Sequence, residues 1–247
     1  MIINIIIQRL FISGVIMSPR PRREERHPDL STAIKDAAWR QIAQLGAPAL
    51  NLRAIARDVG ITAPSIYNYY PNRDALVTAL IIDAYTDFGN SQLAALKQSQ
   101  DQAVDGQLLA VGTAYREWAV KYPERYQLIF GTPIPGYAIP VEQVLPVAAR
   151  SLTALVSSVE AIRKQNRLRP IYHHFDGGQD MEWFEKWKQF GVQADLLSFS
   201  LSVIIWARVH GLVSLEINHN LPPVGMSPET LYRDELDAMT REFFKEE

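Results

Sequence analysis

The sequence predicts an all-α protein, a small three-helix head followed by a larger helical body. Three observations carry this. Apolar residues recur at three- and four-residue spacing from Ile34 onward, which marks one buried stripe per helix. Capping residues such as Asn51 and Thr62 and terminating glycines such as Gly46 and Gly60 sit at the ends of those runs. No alternating, strand-like run and no internal repeat interrupts the pattern. The 247 residues, 47% hydrophobic and 21% charged, suffice for one large or two small domains with a buried core. Cysteine is absent, which excludes a disulfide framework, a thiolate metal site and a cysteine nucleophile.

Residues 1–16, MIINIIIQRLFISGVI, are apolar but broken by Asn4, Gln8, Arg9, Ser13 and Gly14. They fall short of the about 20 apolar residues that a spanning helix needs. They also lack the basic start and small-residue cleavage site of a signal peptide. Met17 opens a polar, Arg-rich stretch and is expected as the true start, with 1–16 a disordered upstream extension. The expected organisation is an extension and basic arm over 1–28, a head over 29–75 and a body over 76–247.

In the head, Ile34, Ala37, Ala38, Ile42 and Leu45 form the stripe of a first helix closed by Gly46. Asn51 caps a second helix that buries Leu52, Ile55, Ala56 and Val59 and ends at Gly60. Thr62 caps a third, with Pro64 in its first turn, where a missing N–H costs nothing. Ile66 and Tyr70 point inward, and Pro71-Asn72 stops the helix. A long helix is expected from Arg73 through Phe88, ending near Gly89. Further helices are expected at about 103–121, 124–130, 141–165, 180–218 and 228–245, with loops at GTPIPGYAIP (131–140) and LPPVGMSP (221–228).

Residues 17–73 carry nine basic and five acidic side chains, against fifteen and twenty-two in 74–247. One end of the chain is therefore suited to a polyanion and the rest is not. The step Gly60-Ile61-Thr62 between two short helices makes a helix-turn-helix, whose second helix fits a major groove. With Ile66 and Tyr70 inward, Pro64, Tyr67 and Asn68 share the outer face, with Ala63, Ser65 and Tyr69 at its margins. Asn68 suits paired hydrogen bonds to adenine, the methyls of Thr62 and Ala63 suit thymine, and tyrosine and serine hydroxyls suit phosphate. Arg53 would reach a guanine or a phosphate; Arg73 and the first amides of the long helix would hold another phosphate. Two readings of Arg20, Arg22, Arg23 and Arg26 stay open: an arm lying on DNA, or a solubilising tail diluted by Glu24 and Glu25.

These residues resemble the TetR-type bacterial transcriptional regulators. The resemblance covers about residues 31–77 and rests on Ala37-Ala38, Leu45-Gly46, LNLRAIARDVGI (50–61) and TAPSIYNYYPNRDAL (62–76). Tyr70 stands where that family usually has phenylalanine and Arg73 where it usually has lysine. The resemblance implies that Arg53, Thr62, Ala63, Pro64, Ser65, Tyr67, Asn68, Tyr69 and Arg73 lie at the DNA surface. It also implies a small-molecule site in the body. WARVHGLVSLEINHNLPP (206–223) resembles the C-terminal domain of a TetR subgroup named for Trp-His-Gly, here Trp206, His210 and Gly211. His210 reads either as a ligand contact or pH-sensitive donor, or as a packing histidine beside a glycine that permits close helix approach.

The aromatic residues Tyr85, Phe88, Tyr115, Trp118, Tyr122, Tyr126 and Phe130, with Trp183, Phe184 and Trp187, suit either an effector cavity or an ordinary core. Ligand contacts are expected among Tyr85, Phe88, Tyr115, Trp118, Tyr122, Tyr126, Trp183, Trp206 and His210. The competing class is a helical enzyme acting on small molecules. However, no G-x-S-x-G, H-E-x-x-H, Gly-rich phosphate loop or dinucleotide fingerprint occurs. His173-His174 with Asp176 is the one conceivable metal cluster, in a polar loop where histidines are usually exposed; no metal or cofactor is expected. The expected protein is cytoplasmic, bound to no membrane, and a homodimer on palindromic operator DNA that answers to a small-molecule effector. Its interface is expected among Leu196, Leu197, Leu201, Ile204, Ile205, Val209 and Leu212 on one helix and Leu231, Leu236, Met239 and Phe243 on the next.

Overall fold

The computed structural model describes residues 28–169, 181–191, 193–223 and 225–245; side chains at 28, 29 and 181–183 fall outside it. The N-terminal arginines and the His173-His174 pair therefore lie outside the described residues. Among the described residues, eleven α-helices follow in chain order: α1 Pro28–Leu45, α2 Leu52–Val59, α3 Ala63–Tyr69, α4 Arg73–Gln98, α5 Val104–Lys121, α6 Pro123–Phe130, α7 Val141–Ser151, α8 Thr153–Lys164, α9 Met181–Gln189, α10 Leu196–Ile217 and α11 Pro228–Phe243. The protein is all-α. Among the described residues the only β-pairing is an isolated bridge between Leu168 and Phe244.

The chain forms two compact units. The first comprises the residues up to Ala84 together with Glu124–Leu145; the second comprises Tyr85–Pro123 and everything from Pro146 onward. In the first, Ile34, Ala37, Ala38, Trp39 and Ile42 of α1 are buried with Leu52, Ile55 and Ala56 of α2, Ile66 of α3, and Leu76, Val77, Leu80 and Ile81 of α4. Lys35 pairs with Asp83 at 2.7 Å, tying α1 to α4. The Arg125 guanidinium lies over the Trp39 ring at 5.3 Å, and the Tyr137 hydroxyl meets Thr78 Oγ1 at 2.8 Å. Those two contacts attach α6 and the Pro-rich loop after it to the head helices. Leu45 does not complete the α1 stripe: the helix ends there and leaves its side chain 63% exposed.

In the second unit α5 and α10 each pack on α8 and α11 and on one another. Ion pairs brace these contacts: Arg116 grips Glu216 through Nε (2.8 Å) and Nη2 (2.6 Å), and Arg208 holds Glu235 and Glu242 at 2.6 Å each. Arg169 N–H donates to Phe243 O (2.9 Å) and Lys245 N–H to Arg167 O (2.7 Å), pinning the end of α11 to the segment after α8. Helix α10 is long and apolar enough to cross a membrane by composition, but Leu201, Ile205, Val209 and Val213 are core residues of the unit.

Three helix boundaries differ from expectation. Helix α4 does not stop at Gly89 but runs to Gln98. A Cβ at Gly89 would meet Ser151 Cα at 2.9 Å, so the glycine serves a close helix approach rather than a terminus. The run at 141–165 is broken at Leu152 into α7 and α8. The run at 180–218 is broken before Asp195, whose carboxylate caps α10 by accepting from Leu197 N–H at 2.9 Å. The expected dimer residues also need correction: Leu201, Ile205, Val209, Leu236, Met239 and Phe243 are buried inside their own unit, because α10 and α11 pack on each other.

Glu160 on α8 is buried yet ionised. Arg163 chelates it at 2.8 Å through two nitrogens, Ser198 Oγ donates to it at 2.7 Å and Asp195 N–H at 3.3 Å. The Arg163 hydrogen bonds, with the others assisting, pull its pKa down from 4.5 to about 2. Because the folded value is the lower one, the stabilisation is fully present above pH 4.5 and is lost as pH falls towards 2. Urea unfolding of Glu160→Gln is expected to lose that part of the acid dependence and about 2–3 kcal/mol at neutral pH. An unchanged acid limb would contradict the assignment. Gly89→Val is expected to lower stability by about 1–3 kcal/mol in the same assay through overpacking against Ser151; an unchanged midpoint would argue against the close approach.

Candidate DNA interface and body cavity

The helix-turn-helix is fixed by local chemistry at each joint. Asn51 Oδ1 accepts from Ala54 N–H at 3.1 Å and starts α2, while the Asn51 N–H itself donates to Gln41 Oε1 on α1 at 2.7 Å. Gly60 takes the left-handed conformation (φ 77°, ψ 27°) that side chains resist. Ile61 N–H then returns to Ala56 O at 2.9 Å and closes the helix end. Thr62 Oγ1 accepts from Ser65 N–H at 3.3 Å and lies 2.7 Å from Ser65 Oγ, so both hydroxyls also serve the start of α3.

Rotation of α3 about its axis is set by its two apolar anchors. Ile66 is fully buried and Tyr70 nearly so, with the Tyr70 hydroxyl 3.3 Å from Ser31 Oγ of α1. Tyr67, at 40% exposure, and Asn68 therefore face out together with Pro64 and Thr62, while Ala63, Ser65 and Tyr69 are half-buried at the margins. The Asn68 carboxamide hydrogen-bonds no described residue, and Arg53 is exposed in the first turn of α2.

Arg73 is placed differently from the rest. Its Nη2 donates to Ala47 O (3.2 Å) and Pro48 O (3.1 Å), the 3-10 turn between α1 and α2. The residue is half-buried, and this contact braces the turn against the start of α4. The amide of Ala75 in the first turn of α4 is taken by Asn72 Oδ1 at 2.8 Å. Of the groups expected at a phosphate, Arg73 Nη2 and the Ala75 amide each have an intramolecular partner here.

Within the second unit a narrow apolar cavity of about 30 Å³ lies among α4, α5, α8, α10 and α11. Phe88, Tyr115 and Trp206 line it, as the sequence suggested. Tyr85 is fully buried in the core, which raises its hydroxyl pKa. Trp118 stands behind the lining, with ring centroids 5.0 Å from Phe88 and 5.8 Å from Tyr122 and its Nε1 donating to Asp87 Oδ2 at 2.9 Å. Tyr126 belongs to the first unit, its ring tilted against Phe130 with centroids 5.0 Å apart, and it does not line the cavity. The Trp183 side chain lies outside the described residues.

His210 sits one step from the cavity. Its ring is 5.0 Å from Trp206, Nδ1 is 3.1 Å from the Tyr115 hydroxyl and Nε2 is 3.3 Å from Ser214 Oγ. Burial lowers its pKa to about 4, so it is neutral at pH 7. That geometry is a hydrogen-bonded packing histidine that holds Tyr115. The glycine of close approach is Gly112, whose Cβ would meet Leu236 Cδ2 at 2.8 Å, and not Gly211, whose Cβ would meet nothing within 4 Å. Sequence reasoning missed Gln92, a buried amide of the lining one turn after Phe88. Its only signal was a polar residue at four-residue spacing within an apolar stripe.

Comparison with known proteins agrees with this architecture. Residues 34–80 match the family model for bacterial regulatory proteins of the tetR family, and residues 108–239 match that for the tetracyclin repressor-like C-terminal domain. The second model does not name the Trp-His-Gly subgroup. The chain is 32% identical over 203 residues to the HTH-type transcriptional regulator Rv1816 of Mycobacterium tuberculosis, covering 79% of this chain and 84% of that protein. Among solved structures it resembles the regulatory protein SCO4313 (32% identity, TM-score 0.68, 85% and 95% of the two chains). A transcriptional regulator from Saccharomonospora viridis in complex with choline shares the fold (13% identity, TM-score 0.64, 89% and 100%). The matched family and the relatives' names are those of transcriptional regulators rather than of an enzyme. A helix-turn-helix head, an all-helical body and family matches over both together establish that the chain belongs to the TetR family of transcriptional regulators.

Proposed function

We propose that the protein is a cytoplasmic homodimeric repressor that binds palindromic operator DNA and is released by a small apolar ligand. The observation that carries this reading is the outer face of α3, where Tyr67 and Asn68 are exposed opposite the buried Ile66 and Tyr70. Asn68 reads adenine by paired hydrogen bonds, Thr62 and Ala63 offer methyls to thymine, and Tyr67, Tyr69 and Ser65 reach phosphates. Arg53 supplies a guanine or phosphate contact. Arg73 acts in this reading by bracing the turn that positions α2 and α3. One head buries too little DNA for tight specific binding, so two copies read half-sites in successive major grooves.

The partner copy is expected on the outward side of α10, where Val203, Ala207 and Leu215 are exposed and Gly211 is open. These residues recur every four positions and form one stripe. Helix α4 carries Arg73 at one end and cavity-lining Phe88 and Gln92 further on, in one unbroken element. A ligand that widens the cavity therefore acts on the helix that leads from the head. It must prefer the DNA-incompetent form; a hundredfold preference, roughly 2.7 kcal/mol, suffices for a useful response.

Fluorescence anisotropy with DNA flanking the protein's own gene tests the reading, with footprinting to locate the half-sites. Asn68→Ala is expected to weaken specific binding by about 1–3 kcal/mol and to relax preference at one base position. Arg53→Ala is expected to weaken binding and, if its partner is a phosphate, to flatten the salt dependence with little change in preference. Absence of protection at any salt concentration would overturn the reading.

A further inference from the structure

We infer that the body cavity is built for an uncharged, slender apolar molecule bearing a hydroxyl, which donates its proton to Gln92 Oε1. The inference rests on the reading of this cavity as the effector site and names the chemistry it selects. Among the described residues, no Lys, Arg, His, Asp or Glu lines the cavity. A ligand charge would be desolvated without a partner and is therefore disfavoured.

Besides the Trp206 indole N–H, which can only donate, the side-chain polar atoms of Gln92 and Thr240 at the cavity wall are placed to accept. Gln92 is 3% exposed, and its Nε2 donates to two carbonyls, Phe88 O at 3.3 Å and Ser151 O at 3.5 Å. Those carbonyls favour this amide orientation, since a flipped amide would set oxygen against oxygen. The Oε1 is thereby turned away from them, and it accepts no hydrogen bond among the described residues. Thr240 Oγ1 spends its proton on Leu236 O at 2.9 Å, so it too has only lone pairs to offer. The Tyr115 hydroxyl is engaged with His210. A ligand hydroxyl that donates to Gln92 Oε1 gains a hydrogen bond that an ether of equal size cannot make.

The rest of the wall is hydrocarbon, with Leu108, Leu155, Val209 and the flexible Met239 among its members. The space, about 30 Å³, has room for about two waters, since one needs about 10–15 Å³ of such volume. A ligand therefore enters by displacing side chains, and a narrow chain displaces fewest. Met239, with its unbranched side chain, gives way at least cost.

The test is fluorescence titration of the full-length protein, with cavity-lining Trp206 as reporter and thermal shift as a second readout. The probes are straight-chain alcohols from hexanol to dodecanol, the isomeric methyl ethers, and the carboxylates and trimethylammonium salts of equal chain length. The alcohols are expected to bind about tenfold tighter than their ether isomers, with both charged series weaker than either. In Gln92→Leu the preference for alcohol over ether is expected to vanish while ether affinity stays unchanged, which shows an intact cavity. Thr240→Val is expected to keep the preference. Binding by none of the probes, equal affinity for alcohols and ethers, tightest binding of a charged series, or a preference that survives Gln92→Leu would each overturn the inference. Operator release is measured separately. Alcohols that bind with the expected preference but leave DNA bound would refute the switch and not the ligand class; release by a molecule outside this class would do the reverse.

Discussion

Helix α3 has seven residues, far fewer than an isolated helix needs to persist in water. Everything proposed for this regulator depends on how so short a helix is held at one rotation. The constraint is the joint use of a left-handed turn at Gly60 and two inward anchors, Ile66 and Tyr70. The turn aims the helix; the anchors decide which side of it remains outside. Were α3 rotated by one residue, Asn68 would lose its place on the outer face and Tyr67 would compete with Ile66 for the core. The contacts from α1, Ser31 to Tyr70 and Gln41 to Asn51, show that the head's first helix serves as the bed for this arrangement.

The acidic excess of residues 74–247 complements the basic excess of residues 17–73, to which the N-terminal arginines contribute. A chain of uniform charge would meet DNA in many orientations, whereas an acidic body repels the phosphates and leaves the head as the surface of approach. Within the body the charges are largely spent on one another. Arg116 with Glu216 and Arg208 with Glu235 and Glu242 brace α10 against α5 and α11, and among the described residues no side chain charged at neutral pH lines the cavity between those helices. The same helices thus carry charge on one side and bound a neutral chamber on another.

The head was legible because its signals are local. Asn51, Gly60, Thr62 and Pro64 act on backbone within four residues of themselves, so their identities alone fix where α2 and α3 begin and end. The body was less so, because its glycines and aromatics answer to distant partners. Gly89 reads as a stop and is instead a contact with Ser151, sixty-two positions away in sequence. Tyr126 reads as part of one aromatic set with Tyr115 but belongs to the other unit. Leu45 fits a stripe by spacing and is exposed because its helix ends there. Arg73 reads as a phosphate ligand by charge, and its second role, with Nη2 on two carbonyls about twenty-five residues upstream, has no local signal. Gln92 could be valued only once the carbonyl of Ser151 was seen to orient it.

The claim on which the account turns is that the outer face of α3 meets DNA. Hydroxyl-radical labelling of the protein reports it directly, with side-chain oxidation of Tyr67 read by mass spectrometry in the presence of operator and of unrelated DNA. Tyr67 is 40% exposed and Met226, in the loop before α11, is 46% exposed, so both label readily in the protein alone. The account predicts that operator DNA cuts labelling of Tyr67 several-fold while Met226 is unchanged. Equal labelling of Tyr67 with the operator bound would contradict it.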